Sequence, residues 1–519
     1  MKGRIYLPLI AQLLLFCHSL SGQNTFQKTY GGGIVSNYGL DVLQAFDSCY
    51  ILAGFTSNYG AGNQDMYLIK INTEGDTLWT RVFGTAADDR INSITQTTDG
   101  GFVLNGLMSN ETCLMKTDAS GFPIWSRNYG IPGSIGSGAV QQTADGGFIV
   151  TGHVPNPPPQ LDCYLLKTDS AGNTQWSKTY GESTLKFVSS CVKQTNDHGY
   201  VVAGSFTGTP TNYDMFLIKT DSIGDTLWTR SYGGPLNDYG NSVLPADDGG
   251  YFLLGSTHSF LNPGIYLIKT DSVGIPLWSK TYEGTIQNGP NTRRYTIRKT
   301  NDSGYIIFAE WVTVSDLFLI KIDSTGNVIW ANSFGGSGNE FIGSGLQTVD
   351  GGYIMIGTTN SLGVGNYDFL LIKTDSLGNG DCNETNQMIT PFSIPNQLQN
   401  TSITISTPLF TNTPSNYSVA GGSVLSTICS SVGLPDIKSH DMHITPNPSG
   451  GNFQIKFSEL IVSGNIKIVN ALGMVIYSDK IFNESVKDIE PGNISEGIYL
   501  LSVFDGEKYH SCKLVFERD

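Results

Sequence analysis

The chain is poor in charge: only 14% of its 519 residues are Asp, Glu, Lys or Arg. That charge leans acidic, with 45 acids against 30 bases and a formal −15, so nucleic acid and anionic membranes are excluded as partners by repulsion. No run of 18 or more apolar residues occurs, and no transmembrane segment is expected. Cysteine is scarce as well, with eight in all, and neither a CxxC nor a His/Cys pair has zinc spacing; no metal is expected. GxSxG, HExxH and P-loop motifs are missing, and the seven histidines are scattered, which leaves no recognisable catalytic machinery. What is abundant is glycine, at 62 positions, the mark of an all-β chain with many turns.

The first residues read as an address. Lys2 and Arg4 precede an apolar stretch over 6–16 and then Ser19-Leu20-Ser21, the pattern of a secretory signal peptide over 1–23. Bulky Phe16 before Cys17 argues against a lipid anchor. Without Cys17 seven cysteines remain, an odd number. Cys49, Cys113, Cys163 and Cys191 fall in strand-like runs and read as small core residues. Cys382 and Cys429 flank a stretch without that pattern and are the candidate disulfide.

Repetition dominates the middle of the chain. Trp79, Trp125, Trp176, Trp228, Trp278 and Trp330 recur every 46–52 residues, alongside apolar runs ending at Lys70, Lys116, Lys167, Lys219, Lys269, Lys321 and Lys373. An Asp-Gly-Gly-aromatic turn starts at Asp99, Asp145, Asp248 and Asp350, with looser copies at Asp47, Asp197 and Asp302. Each of the seven units holds four short strands, a to d; in the fourth they are expected near 188–195, 200–204, 215–220 and 226–232. Four strands in about 50 residues make a propeller blade. The seventh unit ends without its tryptophan strand, while Phe26-Gln27-Lys28-Thr29-Tyr30-Gly31 at the start matches one, as in Trp176-Ser177-Lys178-Thr179-Tyr180-Gly181. Pairing the two closes a seven-bladed β-propeller over 24–380. The tryptophans are expected as wedges between blades, each burying about 150–250 Å², on the order of 4–6 kcal/mol gross. Arg81, Arg127, Lys178, Arg230 and Lys280, two residues further on, would charge the outer edge against aggregation.

From 381 to 440 the repeat gives way to Thr, Ser, Asn and Pro, read as a β-rich linker or cap. Residues 441–519 recover a compact β pattern. The Pro446-Asn447-Pro448 entry, Asn470-Ala471-Leu472-Gly473, Gly497-Ile498-Tyr499 and the closing strand with Lys513 resemble the type A sorting domain of the Bacteroidota type IX secretion system, a small β-sandwich. The resemblance implies type IX machinery as a partner, export to the outside or the outer cell surface, and often removal of the tail. Residues 24–380 also resemble the propeller repeats found beside such domains. The turn-plus-Trp pattern is similar to the docking motif of quinoprotein propellers, but its spacing is shorter and no adjacent cysteine pair occurs; no cofactor is expected.

For function, the loops b–c and d–a share one face and vary strongly, at 57–64, 154–161, 207–213, 259–264, 86–90, 235–239 and 285–294. Their Asn, Tyr, Ser, Gly and Pro suit recognition, or simply reflect drift in long surface loops. Blade six departs from the pattern: Glu310-Trp311 stand where strand b usually ends in Gly and a small or apolar residue, and Arg293-Arg294 open strand a. These four are the candidate ligand-binding residues, for a sugar or an acidic peptide; the alternative is a local Glu310–Arg293 ion pair. The expectation is a monomeric, non-catalytic binding propeller for a glycan or protein ligand. A structural surface component and a hydrolase at the channel are the rivals.

Overall fold

Seven aspartates and seven lysines organise the blades. In the fifth repeat Gly249 takes φ +82° in the a–b turn, Ala246 and Gly250 pair across it, and the Asp248 carboxylate accepts from the Gly250 amide. The lysine closing strand c, Lys269, then reaches back to Asp248 at 2.7 Å and donates to the Thr270 carbonyl. The same pair recurs in every blade: Lys70–Asp47, Lys116–Asp99, Lys167–Asp145, Lys219–Asp197, Lys321–Asp302 and Lys373–Asp350, all at 2.5–2.9 Å. A buried lysine stem needs its counterion, which explains why the two sequence markers travel together. Hydrogen bonds from Lys116, Thr97 and the Gly101 amide hold the Asp99 carboxyl down at about 2. At Asp145, Asp197 and Asp302 burial opposes the charge, but the same lysine, threonine and amide contacts outweigh it and bring each to about 2.

The computed structural model describes residues 23–516 apart from 32–34, 131–135, 156–159, 208–211, 261–262, 284–294, 312–315, 364–365, 381–383, 388, 390, 395–403, 407–410, 415–417, 421–423, 432–441, 446–451, 470–474, 493 and 505–508. It divides into a unit Gln23–Val432 and a C-terminal unit within Gly433–Asp519. The first is a seven-bladed β-propeller of antiparallel sheets. In blade four, strands a to d are Phe187–Gln194, Tyr200–Thr207, Tyr213–Thr220 and Thr226–Tyr232. Strands b and c are buried almost throughout because a neighbouring blade covers each face, so they read as apolar runs rather than alternations. The N-terminal strand Thr25–Gly31 pairs with strand c of blade seven, Asp368–Thr374, from Phe26 opposite Lys373 to Tyr30 opposite Phe369. The ring therefore closes through the two distant ends of the repeat region.

Strand a of each blade packs closest against its neighbour, and strand d adds side-chain contacts across the outer part of the interface. The tryptophans are only half-buried; Trp79, Trp125, Trp176, Trp228, Trp278 and Trp330 lie against Gly121, Gly172, Gly224, Gly274, Gly326 and Gly378 in the c–d turn of the following blade. A side chain at any of these glycines would strike the indole, and φ is positive at each. Full burial belongs instead to the tyrosine four residues later. Tyr30, Tyr129, Tyr180, Tyr232 and Tyr282 each donate a hydroxyl hydrogen bond to a carbonyl of the next blade (Gly75, Gly172, Gly224, Gly274 and Gly326) at 2.6–2.9 Å. Between blades six and seven the Asn332 amide does this for Gly378. Between blades one and two Phe83 stands in the tyrosine's place.

The stretch 381–440 does not form a sheet of its own among the described residues. Its short strands each add a fifth strand to the outer edge of a blade: Glu384–Asn386 on blade six, Pro391–Ser393 on five, Thr404–Ser406 on three, Thr411–Pro414 on two, Ser418–Ala420 on one, and Val424–Ser431 on seven. The chain thus runs back around the ring as a belt, against the order of the blades. The edge-protection role expected of the strand-d cations is taken over by this pairing along the C-terminal half of strand d. The cations themselves stack: Arg81 lies over Trp79 and over Phe122 of the next blade, Arg230 over Trp228 and Lys280 over Trp278.

The C-terminal unit is built on two long strands, Phe453–Val469 and Val475–Ile489, paired along their length. The first also pairs with Met442–Thr445 near its start and with Gly497–Phe504 near its end, and Tyr509–Phe516 completes the sheet. Phe453, Ile455, Ile466, Ile468, Leu501 and Leu514 centre its apolar core.

Candidate functional site

The innermost strands of all seven blades line one central channel. They are Asn37–Gln44, Arg90–Gln96, Gly136–Gln142, Phe187–Gln194, Asp238–Pro245, Thr296–Lys299 and Glu340–Gln347. Six of them shift register by one or two residues in mid-strand, a bulge that bends the strand locally. The cavity within measures about 980 Å³. Its wall is mixed, with Asn92, Ser93, Ser190, Asn241, Ser242 and Ser344 beside Leu40, Ile94, Val140 and Leu346. One carboxylate, Asp41, is among the lining residues, and both its oxygens are engaged: Oδ1 by Ser344 Oγ and the Val42 amide, Oδ2 by the Ile94 amide. Two cations, Lys193 and Arg298, line it deeper in, and burial followed by the positive Arg298 lowers the Lys193 pKa against the pull of Cys191 and Asp41. His153 also borders the cavity, is 6% exposed, has neither ring nitrogen hydrogen-bonded among the described residues, and is pushed by burial down to about 4.

At the loop end the channel opens beside an aromatic group. Tyr38 stacks on Phe55 with ring centres 4.7 Å apart and on Tyr367 at 5.2 Å, and Phe341 lies 6.1 Å from Tyr367. Arg90 sits 5.1 Å over the Phe55 ring, its Nε held by Gln64. Blades seven, one and two all contribute. A smaller group, Tyr213, Tyr239 and His258, joins blades four and five.

The same face carries carboxylate pairs between blades. Asp214 and Asp238 both crowd Gly233, and Asp316 and Glu340 both crowd Gly335. Burial, then the neighbouring carboxylate, pushes Asp214 and Asp316 up to about 6. Asp238 and Glu340 have a structural task, capping the Gly234 and Gly336 amides and accepting from Ser259, and from Thr359 and Ser361, respectively. No group of three metal-ligating side chains occurs among the described residues.

Of the candidate residues on blade six, Arg293 and Arg294 lie outside the described residues, and only the backbone of Trp311 is described, paired with Asp316. Glu310 is 5% exposed, and its Oε2 accepts the Ile342 amide of blade seven at 2.9 Å. The register also moves the missing glycine by one. Ala309, not Glu310, holds the position of Gly54, Gly204, Gly255 and Gly357. A Cβ at Gly54 or Gly255 would meet a strand-a carbonyl at 1.9 Å, and blade six, with alanine there, has an unbulged strand a over Thr296–Lys299. Glu310 fills the position of Ser205 and Thr358, whose hydroxyls accept the Gly240 and Gly39 amides of the next blade. It is a longer form of the same inter-blade acceptor. Cys382 is outside the described residues and Cys429 is described only in its backbone, opposite Gln27; Cys49, Cys113, Cys163 and Cys191 are free thiols.

In the tail, Pro446, Asn447, Pro448 and Gly473 lie outside the described residues. Gly497 takes φ +152°, Tyr499 donates to the Ser495 carbonyl at 2.9 Å, and Lys513 pairs in register with Leu500. Residues 443–517 match the family described as the secretion system C-terminal sorting domain. The chain ends in a secretion sorting domain. That tail indicates export by the type IX route, to a secreted or outer-surface location, and interaction with the secretion machinery. No helix among the described residues is long and apolar enough to cross a membrane. No curated protein matches the chain. Among solved structures, Drosophila Plexin A in complex with Semaphorin 1b aligns at 8% identity and TM-score 0.41 over 68% of this chain and 88% of that one. The V. cholerae biofilm matrix protein Bap1 aligns at 10% identity and TM-score 0.27, over 69% and 89%.

Sequence reasoning missed the channel cations and the aromatic mouth. Lys193 and Arg298 occupy one register position, opposite Val201 and Ile306, where other blades carry Leu43, Thr95, Gln141, Leu244 and Leu346. Aligning the repeats column by column would have exposed both.

Proposed function

We propose that this protein is a secreted or surface-displayed, non-catalytic binding module that recognises a polysaccharide or protein ligand at the loop face of the propeller. The observation that supports this reading is the stacked group Tyr38, Phe55, Tyr367 and Phe341, with Arg90 above it, at the channel mouth. Flat aromatic area beside a guanidinium is the chemistry that holds sugar rings and extended polar chains. The non-catalytic part of the reading rests on Asp41: among the described lining residues it is the one carboxylate, with both oxygens engaged by neutral donors, whereas hydrolysis of glycosides uses two carboxylates.

The test is a polysaccharide and glycan array probed with the purified protein, beside Tyr38→Ala and Arg90→Ala variants. A second variant, Trp311→Ala with Arg293→Ala, covers the blade-six candidates. Binding lost in the first pair supports the channel mouth, and binding lost only in the second relocates the site to blade six. Glycan cleavage during incubation would favour the hydrolase. Silence on all glycans leaves a protein ligand or a structural role, decided by pull-down with surface extracts.

A further inference from the structure

Lys193 and Arg298 present a puzzle of cost. Each line of the charge pattern so far ends in a partner: the strand-c lysines have their turn aspartates, Arg81 and Arg230 have their indoles, Arg90 has Gln64 and Asp88. Lys193 and Arg298 line the channel cavity on strands a of blades four and six, at equal register, and among the described residues neither makes a hydrogen bond or an ion pair. Leu244 of blade five occupies the same level between them. The acid nearest in kind, Asp41, is engaged by Ser344, Val42 and Ile94 and offers neither cation a hydrogen bond. Two like charges held in a partly desolvated wall destabilise the fold, and a protein of net charge −15 has carboxylates to spare for neutralising them. Around them stand neutral polar groups: Thr95 and Gln141 share their level, and the Gln141 carbonyl oxygen already accepts the Gln194 amide, which leaves its NH₂ as a donor.

We propose that the channel is an oxyanion-binding site, in which Lys193 and Arg298 together grip a carboxylate, sulfate or phosphate group borne by a ligand that enters the 980 Å³ cavity. Arg298 supplies the planar fork that matches an oxyanion, and Lys193 supplies a point charge. An arriving anion relieves the repulsion between the two, so binding draws on strain already present in the free protein. Desolvation and Arg298 lower the Lys193 pKa in the free state, and an anion raises it again. Asp41, Cys191, His153, Arg90, Tyr38 and Tyr295 are the other titratable or charged groups among the described residues lining this cavity. The two cations share the cavity with Tyr38, Phe55 and Arg90 but stand on other blades, and the proposal does not depend on the loop-face reading.

The experiment is calorimetric titration of the purified protein with sulfate, inorganic phosphate and glucuronate at low ionic strength, repeated with Lys193→Met, Arg298→Met and, as a control that removes an exposed cation outside the cavity, Lys299→Met. Binding of at least one probe is expected, weakened about tenfold by Lys193→Met and by Arg298→Met, weakened by added salt and unchanged by Lys299→Met. Preference for glucuronate would identify a carboxylate sugar, and preference for sulfate or phosphate an ester group. Denaturant unfolding of both channel variants accompanies the titrations, with stability equal to or above that of the parent protein expected. Absence of binding by all three probes, binding indifferent to both channel variants, binding weakened equally by Lys299→Met, or a channel variant that unfolds more easily would each overturn the site.

Discussion

Removing one buried hydroxyl measures what holds neighbouring blades together. In Tyr180→Phe the ring still fills its site, but the Gly224 carbonyl, buried in the next blade, loses the 2.7 Å bond it now accepts. A buried acceptor left without a donor costs about 1–3 kcal/mol. Urea slopes grow with the surface exposed on unfolding; for a unit of this size roughly 4 kcal/mol per molar is reasonable, so the midpoint should fall by about 0.3–0.7 M. The half-buried tryptophans at the blade interfaces supply the fluorescence signal. Tyr232→Phe should cost the same, because its hydroxyl meets Gly274 at the same 2.7 Å. The molecule also contains its own reverse experiment. Phe83 is fully buried and stands four residues after Trp79, the place that tyrosine holds in blades two to five, so Phe83→Tyr should raise the midpoint. If both Phe variants unfold within 0.1 M of the parent, roughly the scatter of such midpoints, the hydroxyls contribute nothing net and the reasoning fails.

The remaining predictions concern charge and turns. Asp197, held at about 2 against an ordinary value near 4, gives stability that is complete above pH 4 and lost as pH falls to 2; Asp197→Asn should lower the melting temperature at pH 7 and leave it unchanged at pH 2. Asp214, raised to about 6, has the opposite sign: the folded state prefers its proton, so its contribution is complete below pH 4 and lost as pH rises through 6. Asp214→Asn should therefore raise the melting temperature at pH 8 and do little at pH 4. Ser48, His198 and Ser303 occupy left-handed turn positions, φ +65°, +61° and +65°, that the other four blades give to glycine; His198→Gly should stabilise by about 1 kcal/mol in denaturant titrations.

The ring and its closure were legible because the markers are periodic and the orphan strand at Phe26–Gly31 follows the pattern of Trp176–Gly181, an aromatic, one differing residue and then the shared Lys-Thr-Tyr-Gly. The Lys–Asp pairs were half-legible: each partner was visible as a repeat marker, but that they meet depends on how strand c returns beside the a–b turn. The belt was not legible. Strands as short as Thr404–Ser406 carry almost no pattern of their own, and their identity comes entirely from the strand-d edge they join, Thr179–Gly181 in that case. Glu310 misled for a related reason. Charge in a strand suggests a ligand when the next blade is out of view, whereas the register makes it the counterpart of Ser205 and Thr358. Lys193 and Arg298 went unnoticed because isolated cations near strand ends are ordinary on a surface and become unusual only when seven strand ends surround one cavity.

Closure and export meet in the strand Thr25–Gly31. It is not an edge: strand c of blade seven flanks it on one side and the last belt strand, Val424–Ser431, on the other, with Thr25 opposite Ser431 and Gly31 opposite Val424. The ring therefore depends on three segments drawn from the beginning, the end of the repeats and the end of the belt, and it cannot be complete until residue 431 has been made. Nothing C-terminal to that point pairs with a blade among the described residues, and the sorting match begins at 443. Loss of the tail would remove none of the strand pairings that close the propeller. A chain laid out in this order can give up its address and keep its ring, which is what a module delivered to the outside by a sorting domain requires.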